Sequence, residues 1–196
     1  MKKWISAVLF SLFVILGSAT AFAEEAQPEL DAKPAKPVVA TIYINNAKST
    51  YDAELSKSLS DRFNGKMTSF TLQNDPKFVD KLNKVGVTDI SMAERDDILQ
   101  AFAGENIDYI VYAEIQPPIL NSWISMFNQG VKATVTVPVK IIDVKGHKYL
   151  YNGKFTETAD NSAVFGGVGT KAAVVKALDQ IFVKTDAMLI NRLPIK

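Results

Sequence analysis

Two hydrophobic periods divide this chain. In its first two thirds, short apolar runs alternate with segments whose apolar residues recur every three or four positions. From about residue 131, apolar and polar residues alternate one by one. Val38–Ile44 (VVATIYI) is an unbroken β-rich run closed by Asn45-Asn46, the pattern of a buried strand. Leu55, Leu59 and Phe63 lie four apart, which predicts a helix over Tyr51–Phe63 stopped by Asn64-Gly65. Ser69–Leu72 suits a short strand. Asp75-Pro76 suits a helix start, with Asp at the N-cap and Pro at the first helical position. Phe78, Leu82 and Val85 form the apolar face of that helix. Ser91-Met92-Ala93-Glu94 reads as a capping box for a helix reaching Gly104, with Ile98, Leu99 and Phe102 turned inward.

Tyr109–Ile115 (YIVYAEI) shows little alternation, as expected of a central strand covered on both faces. Val131–Asp143 then alternates apolar and polar, as in Val131, Ala133, Val135, Val137, Val139 and Ile141. Lys145-Gly146 forms a turn, and His147–Thr158 runs back. This predicts a hairpin with arms of about 12 residues, twice the usual strand length. Thr170–Leu193 carries Val174, Leu178, Ile181, Phe182, Met188 and Leu189 at helical spacing. At 1.5 Å per residue that helix is about 35 Å long. The fold class expected is α/β: a single domain, a mixed sheet with a long β-hairpin, helices packed on the sheet, and a long C-terminal helix.

The first 37 residues follow neither period. Lys2 and Lys3 precede an apolar stretch, Trp4–Leu16, and small residues ending in Ala21-Phe22-Ala23. This is the three-part pattern of a secretory signal peptide cut after Ala23. The apolar core falls short of the roughly 20 residues that span a bilayer. Glu24–Pro37 (EEAQPELDAKPAKP) reads as an extended linker. The expected organisation is therefore 1–23 signal peptide, 24–37 linker and 38–196 domain, with export to the periplasm or cell envelope.

Charge and composition narrow the chemistry. Without Lys2 and Lys3 the chain has 20 basic and 21 acidic residues, a formal charge of −1. That balance argues against nucleic acid, whose binding displaces counterions from a basic surface. There is no cysteine, so lipidation through Cys, disulfides, thiolate catalysis and Cys-based zinc sites are excluded. The single histidine, His147, sits beside a tight turn, where a general base would lack an orienting partner. Glu94, Asp96 and Asp97 crowd a helix start and complement its dipole; no metal site or cofactor is expected. Glu114 interrupts an apolar strand and is expected near the strand's exposed end, in a structural ion pair rather than as a catalytic acid.

Two loops hold the remaining candidates. Pro117–Gly130 (PPILNSWISMFNQG) carries Trp123, Ile124, Met126 and Phe127. Ala163–Gly169 (AVFGGVG) carries Val164 and Phe165. If the first hairpin arm pairs antiparallel with Tyr109–Ile115, both loops fall at one end of the sheet. Trp123, Ile124, Phe127 and Phe165 would then form a contact surface for a protein, a ligand or a membrane that the domain touches without spanning. Alternatively they close as a lid, with a short amphipathic helix over Ile119–Phe127. Gly166, Gly167, Gly169 and Thr170 precede the last helix and could bind an anion through backbone N–H groups. Their order does not match the phosphate-binding loop.

Three phrases carry a family resemblance: VVATIYINNA, ISMAERDDILQAFAGENIDYIVYAEI and VTVPVKIIDVKGHKYLYNGKF. In their order the chain resembles bacterial envelope α/β proteins of the superfamily that includes the curli-secretion channel subunit and the lipoprotein activators of penicillin-binding proteins. The chain departs from it in having no cysteine to lipidate, and Glu114 where the strand phrase often has glycine. The resemblance implies an assembly or adaptor role without catalysis, with an envelope protein or the chain's own subunits as partner. Alternatives from the residues are a small-ligand or anion binder, and an acid-only hydrolase using Glu114 with a second carboxylate.

Overall fold

The computed structural model describes residues 35–164 and 167–195; the expected signal peptide and most of the linker lie outside them. The described chain runs β1 (Val38–Asn45), α1 (Asp52–Lys66), β2 (Thr71–Asn74), α2 (Phe78–Lys84), a 3₁₀ turn (Ile90–Met92), α3 (Arg95–Ala101), β3 (Tyr109–Ile115), β4 (Ile119–Ile124), β5 (Gln129–Asp143), β6 (Lys148–Ala163) and α4 (Thr170–Arg192). The six strands form one mixed sheet. β1 pairs in parallel with β2 on one side and β3 on the other. β5 then runs antiparallel to β3, β4 and β6.

Alternation of side chains across each strand divides the core in two. Val111, Ala113 and Ile115 of β3 and Val135, Val137, Val139 and Ile141 of β5 face one side. Against them pack Leu55, Leu59 and Phe63 of α1 and Val174, Leu178, Ile181 and Leu189 of α4. Removing each such aliphatic side chain from water contributes roughly 1.5–3 kcal/mol. Ile110 and Tyr112 face the other side, with Ile42 and Ile142, beneath Phe78 and Leu82 of α2 and Ile98 of α3. β3 is therefore covered on both faces, as its lack of alternation requires.

The two layers differ in reach. β5 extends about 50 Å, and α4 covers about 35 Å of one face. α2 and α3, at seven residues each, span only about 10 Å apiece. The far half of the second face is left without a helix, and on β5 and β6 the residues there are polar. Thr134 bonds Thr158 at 2.8 Å and Thr136 bonds Thr156 at 3.0 Å.

Several local expectations shift. α1 runs through Asn64-Gly65 to Lys66, because Tyr43 O–H donates to Asn64 Oδ1 at 2.8 Å and draws that turn onto β1. β2 begins at Thr71, two residues late. α2 begins at Phe78 instead of Pro76, since Asp75 Oδ1 accepts the Lys77 N–H at 2.9 Å and closes a turn first. The capping box moves three residues on: Glu94 is the N-cap of α3, and its N–H donates to Asp97 Oδ2 at 2.9 Å. Pro117–Gly130 is neither an open loop nor a helix: β4 occupies six of its residues. With β4 on one side, β5 grows to 15 residues and β6 to 16.

Asp108 ties three strands at one end of the sheet. Its Oδ2 accepts the Val38 N–H at 2.8 Å, its Oδ1 accepts from Lys145 Nζ at 2.6 Å, and its carbonyl accepts the Val144 N–H at 3.0 Å. The Lys145 ammonium first, then the Val38 N–H, hold its carboxyl below the usual carboxylate range. A depressed native pKa contributes stability above the unfolded value, near 3.9, and loses it as pH falls through the native value. Asp108→Asn should therefore cost about 1 kcal/mol at pH 7, with the gap to the unsubstituted protein closing towards pH 3. Urea denaturation at the two pH values checks this.

Candidate functional site

The apolar hairpin at the far end of the sheet is built by a one-residue slip. β3 and β4 lie on the same side of β5, and Gln116 between them still donates its N–H to the Thr136 carbonyl at 3.0 Å. Pro117 and Pro118 have no N–H to give. Across them the register changes from Ala113 opposite Val139 to Ile119 opposite Thr134. One extra residue is accommodated, as at a β-bulge. The consequence is a change of face: odd positions of β3 point to the α4 side, but on β4 the even positions do.

Trp123 thus lies on the face away from α4, directly opposite Gly130. Its indole covers that glycine so closely that a Cβ at position 130 would lie 2.5 Å from Trp123 Cε2. The turn beyond is pinned by the Ser125 N–H to Asn128 carbonyl bond at 2.6 Å and by the Asn128 N–H to Ser125 Oγ bond at 3.1 Å. Ile124, Met126 and Phe127 project from it at 84%, 88% and 76% exposure. They line a shallow depression of about 220 Å³ with Ser125, Asn128, Gln129 and Val164. Val164 follows β6, whose Ala163 pairs with Gln129. The two candidate loops are thereby brought to the same end of the sheet. Phe165 and Gly166 lie outside the described residues.

The glycine loop is placed differently. Gly169 is the N-cap of α4 with extended backbone, and its carbonyl accepts from Asn161 Nδ2 at 3.3 Å. Thr170 opens the helix without a side-chain cap, and Gly167 has no other atom within 4 Å of where a Cβ would stand. Lys171, the next residue of the helix, is bound to Glu54 at 2.5 Å.

Glu114 departs from expectation. It is buried, at 3% exposure, and its partners are neutral. Asn46 Nδ2 donates to Oε1 at 2.7 Å and Tyr112 O–H donates to Oε2 at 2.6 Å. Burial, and then this bond to Glu114, raise the Tyr112 hydroxyl pKa above the ordinary phenol value. The carboxylate sits inside because β1 continues past it, and Asn46 folds over the strand end. It fastens β1 to β3.

On the same face Lys140 donates to the Ala93 carbonyl and lies 5.6 Å from the Tyr112 ring centre. Burial lowers its pKa. It borders a polar depression of about 350 Å³ with Glu94, Tyr149 and Asn152. Asp96 is paired with Arg95 at 2.8 Å, and Asp97 caps α3. Among the described residues no three His, Asp or Glu side chains gather to hold a metal ion. His147 is exposed in its turn, with a left-handed backbone (φ 47°).

Fold and site together define an α/β domain with a mixed six-stranded sheet and an uncharged apolar hairpin at one end. No protein-family model matches the chain, and no curated protein matches it. Among solved structures it is similar to the hypothetical protein CT253 from Chlamydia trachomatis, at 15% identity and a TM-score of 0.48, over 83% of this chain and 100% of that one. It is also similar to lipoprotein GNA1162 from Neisseria meningitidis, at 10% identity and a TM-score of 0.41, over 76% and 99%. A third is the LpoB C-terminal domain from Escherichia coli, at 15% identity and a TM-score of 0.35, over 64% and 85%. No helix among the described residues is long and apolar enough to cross a membrane.

Two substitutions test these roles. Gly130→Val should push the Trp123 indole off the strand and red-shift its fluorescence. Glu114→Ala leaves the Tyr112 hydroxyl without its acceptor and should cost about 2–3 kcal/mol, measured by chemical denaturation.

Proposed function

We propose that this is an exported, non-enzymatic envelope protein that binds another protein through its apolar hairpin end, Trp123, Ile124 and Phe127, together with Phe165 of the second loop. One observation carries the reading: Ile124, Met126 and Phe127 stand in solvent on a turn whose backbone is closed by its own hydrogen bonds. Apolar side chains on a preorganised turn lose little freedom when a partner covers them. Covering each fully would contribute roughly 1.5–3 kcal/mol. Residues Pro117–Gly130 carry no charge, which suits an apolar contact and offers nothing to phosphate or nucleic acid.

The leader pattern supports export with cleavage after Ala23, and β1 beginning at Val38 supports one domain following the linker. An adaptor reading also agrees with the burial of Glu114 beneath Asn46 and beside Tyr112, which closes it off from a polymer substrate.

Ile124→Asp and Phe127→Asp should each reduce in-cell crosslinking to the partner by about tenfold or more, about 1.4 kcal/mol or above. Thermal stability should hold, because both side chains are exposed. Capture at the unsubstituted level in both variants overturns the reading. Mass spectrometry of the exported protein should find Glu24 at its N-terminus.

A further inference from the structure

We propose that two copies of this chain pair antiparallel along their β4 strands, about a two-fold axis at Asn121, so that the two sheets become one. This rests on the hairpin end being a contact surface, and it names a second copy as an occupant of that surface.

β4 is bonded on one side only. Along β3 that outer side is filled by β1, as far as Asn45 opposite Ile115 and the Asn46 N–H on the Ile115 carbonyl at 2.8 Å. Among the described residues no strand pairs with the outer side of β4. All six of its residues are exposed, including Ile119, Leu120, Trp123 and Ile124. An edge with open N–H and C=O groups accepts another strand unless charge, proline or a bulge prevents it.

The open edge fits the strand itself. It begins after β1 ends beside Ile115 and closes where the chain turns at Ser125. Ile119–Trp123 lies between the prolines and the turn, and its midpoint is Asn121. An antiparallel copy centred there pairs these five residues with the same five of the partner and leaves Pro118, which has no N–H, outside the ladder. A two-fold axis perpendicular to the sheet keeps each side chain on its own face, so only positions of like parity meet. Ile119 then lies opposite the partner's Trp123, twice by symmetry; Leu120 meets the partner's Ser122, and Asn121 meets its own copy. Aromatic and β-branched pairs of this kind are favourable across strands, and self-complementarity is what an isologous interface requires.

Charge selects the second copy over a charged peptide strand. Residues 117–130 have no charged side chain, so a charged strand finds no counter-charge here, while an identical strand meets no repulsion. The nearest charge on β5, Lys132, lies opposite Asn121 and beside Asp160 of β6. In the pair it would be three strand spacings from its copy, about 14 Å, beyond the screening length of about 8 Å. The other long edge is different: β6 carries Lys148, Lys154, Glu157 and Asp160, the charges that discourage edge pairing.

The absence of cysteine makes the test clean. Asn121→Cys introduces the sole thiol. Directly opposed Cα atoms are about 4.5–5.5 Å apart, within the window for a disulfide. We expect the exported protein to have twice the monomer mass by light scattering at micromolar concentration, and Asn121→Cys to form a disulfide dimer under mild oxidation. The control, Lys154→Cys on β6, should not. Asn121→Lys should be monomeric, with the circular dichroism of the unsubstituted protein and a melting temperature that no longer depends on protein concentration. A monomeric unsubstituted protein, disulfide crosslinking of Asn121→Cys no greater than that of Lys154→Cys, or a dimer that survives Asn121→Lys each overturns the pairing. A monomer whose partner capture still falls with Phe127→Asp removes only the self-pairing. A β4-linked dimer whose capture ignores Phe127→Asp removes only the adaptor reading.

Discussion

The rest of this structure depends on the pairing of β5. That strand runs the length of the sheet with β6 along one side, and on the other it is shared between β3 and β4. Sharing is possible because Pro117-Pro118 lets the chain slip one residue without leaving the sheet. β3 stays in the core between β1 and β5. β4, beyond the slip, has outrun β1 and becomes an edge. Both the buried centre and the exposed apolar end follow from where one parallel strand stops and a longer antiparallel one continues.

The same inequality of lengths sorts the chemistry. Where helices cover both faces, ionisable groups are tied to specific partners: Glu114 to Asn46 and Tyr112, and Lys140 to the Ala93 carbonyl. Where the short helices α2 and α3 no longer reach, β5 and β6 present threonine and charge on the second face, β4 presents Ile119 and Trp123, and the hairpin tip projects without support. Apolar residues left there do not stabilise the fold, since little of the domain lies against them. Their free energy is available to an association. This is why the reading centres on the hairpin end and not on the buried carboxylate.

Much of the fold is legible in local patterns. The alternation from Val131 to Ile141 and the largely apolar run of Tyr109–Ile115 describe real strands, and Leu55, Leu59 and Phe63 mark the face that α1 buries. The convergence of the two loops also follows from strand direction alone. β4 is hidden because Pro117-Pro118 and the mix of Asn121, Ser122 and Ser125 read as loop; its β-prone residues Ile119, Leu120, Trp123 and Ile124 are a signal that the prolines mask. Glu114 misleads because the prolines just beyond Gln116 suggest a strand end in solvent, while the atoms that bury and bond it come from Asn46 and Tyr112.

By itself the sequence determined the periods, and with them most of the strands and helices and the face that each turns to the core. Through the missing cysteine it also excluded thiol chemistry. Only the tertiary structure decided that β4 is a strand and an edge, that a lone carboxylate is buried, and that Trp123 lies on Gly130. Periodicity is a property of neighbours a few residues apart. Pairing and burial depend on residues tens of positions distant, and on where each strand ends beside the next.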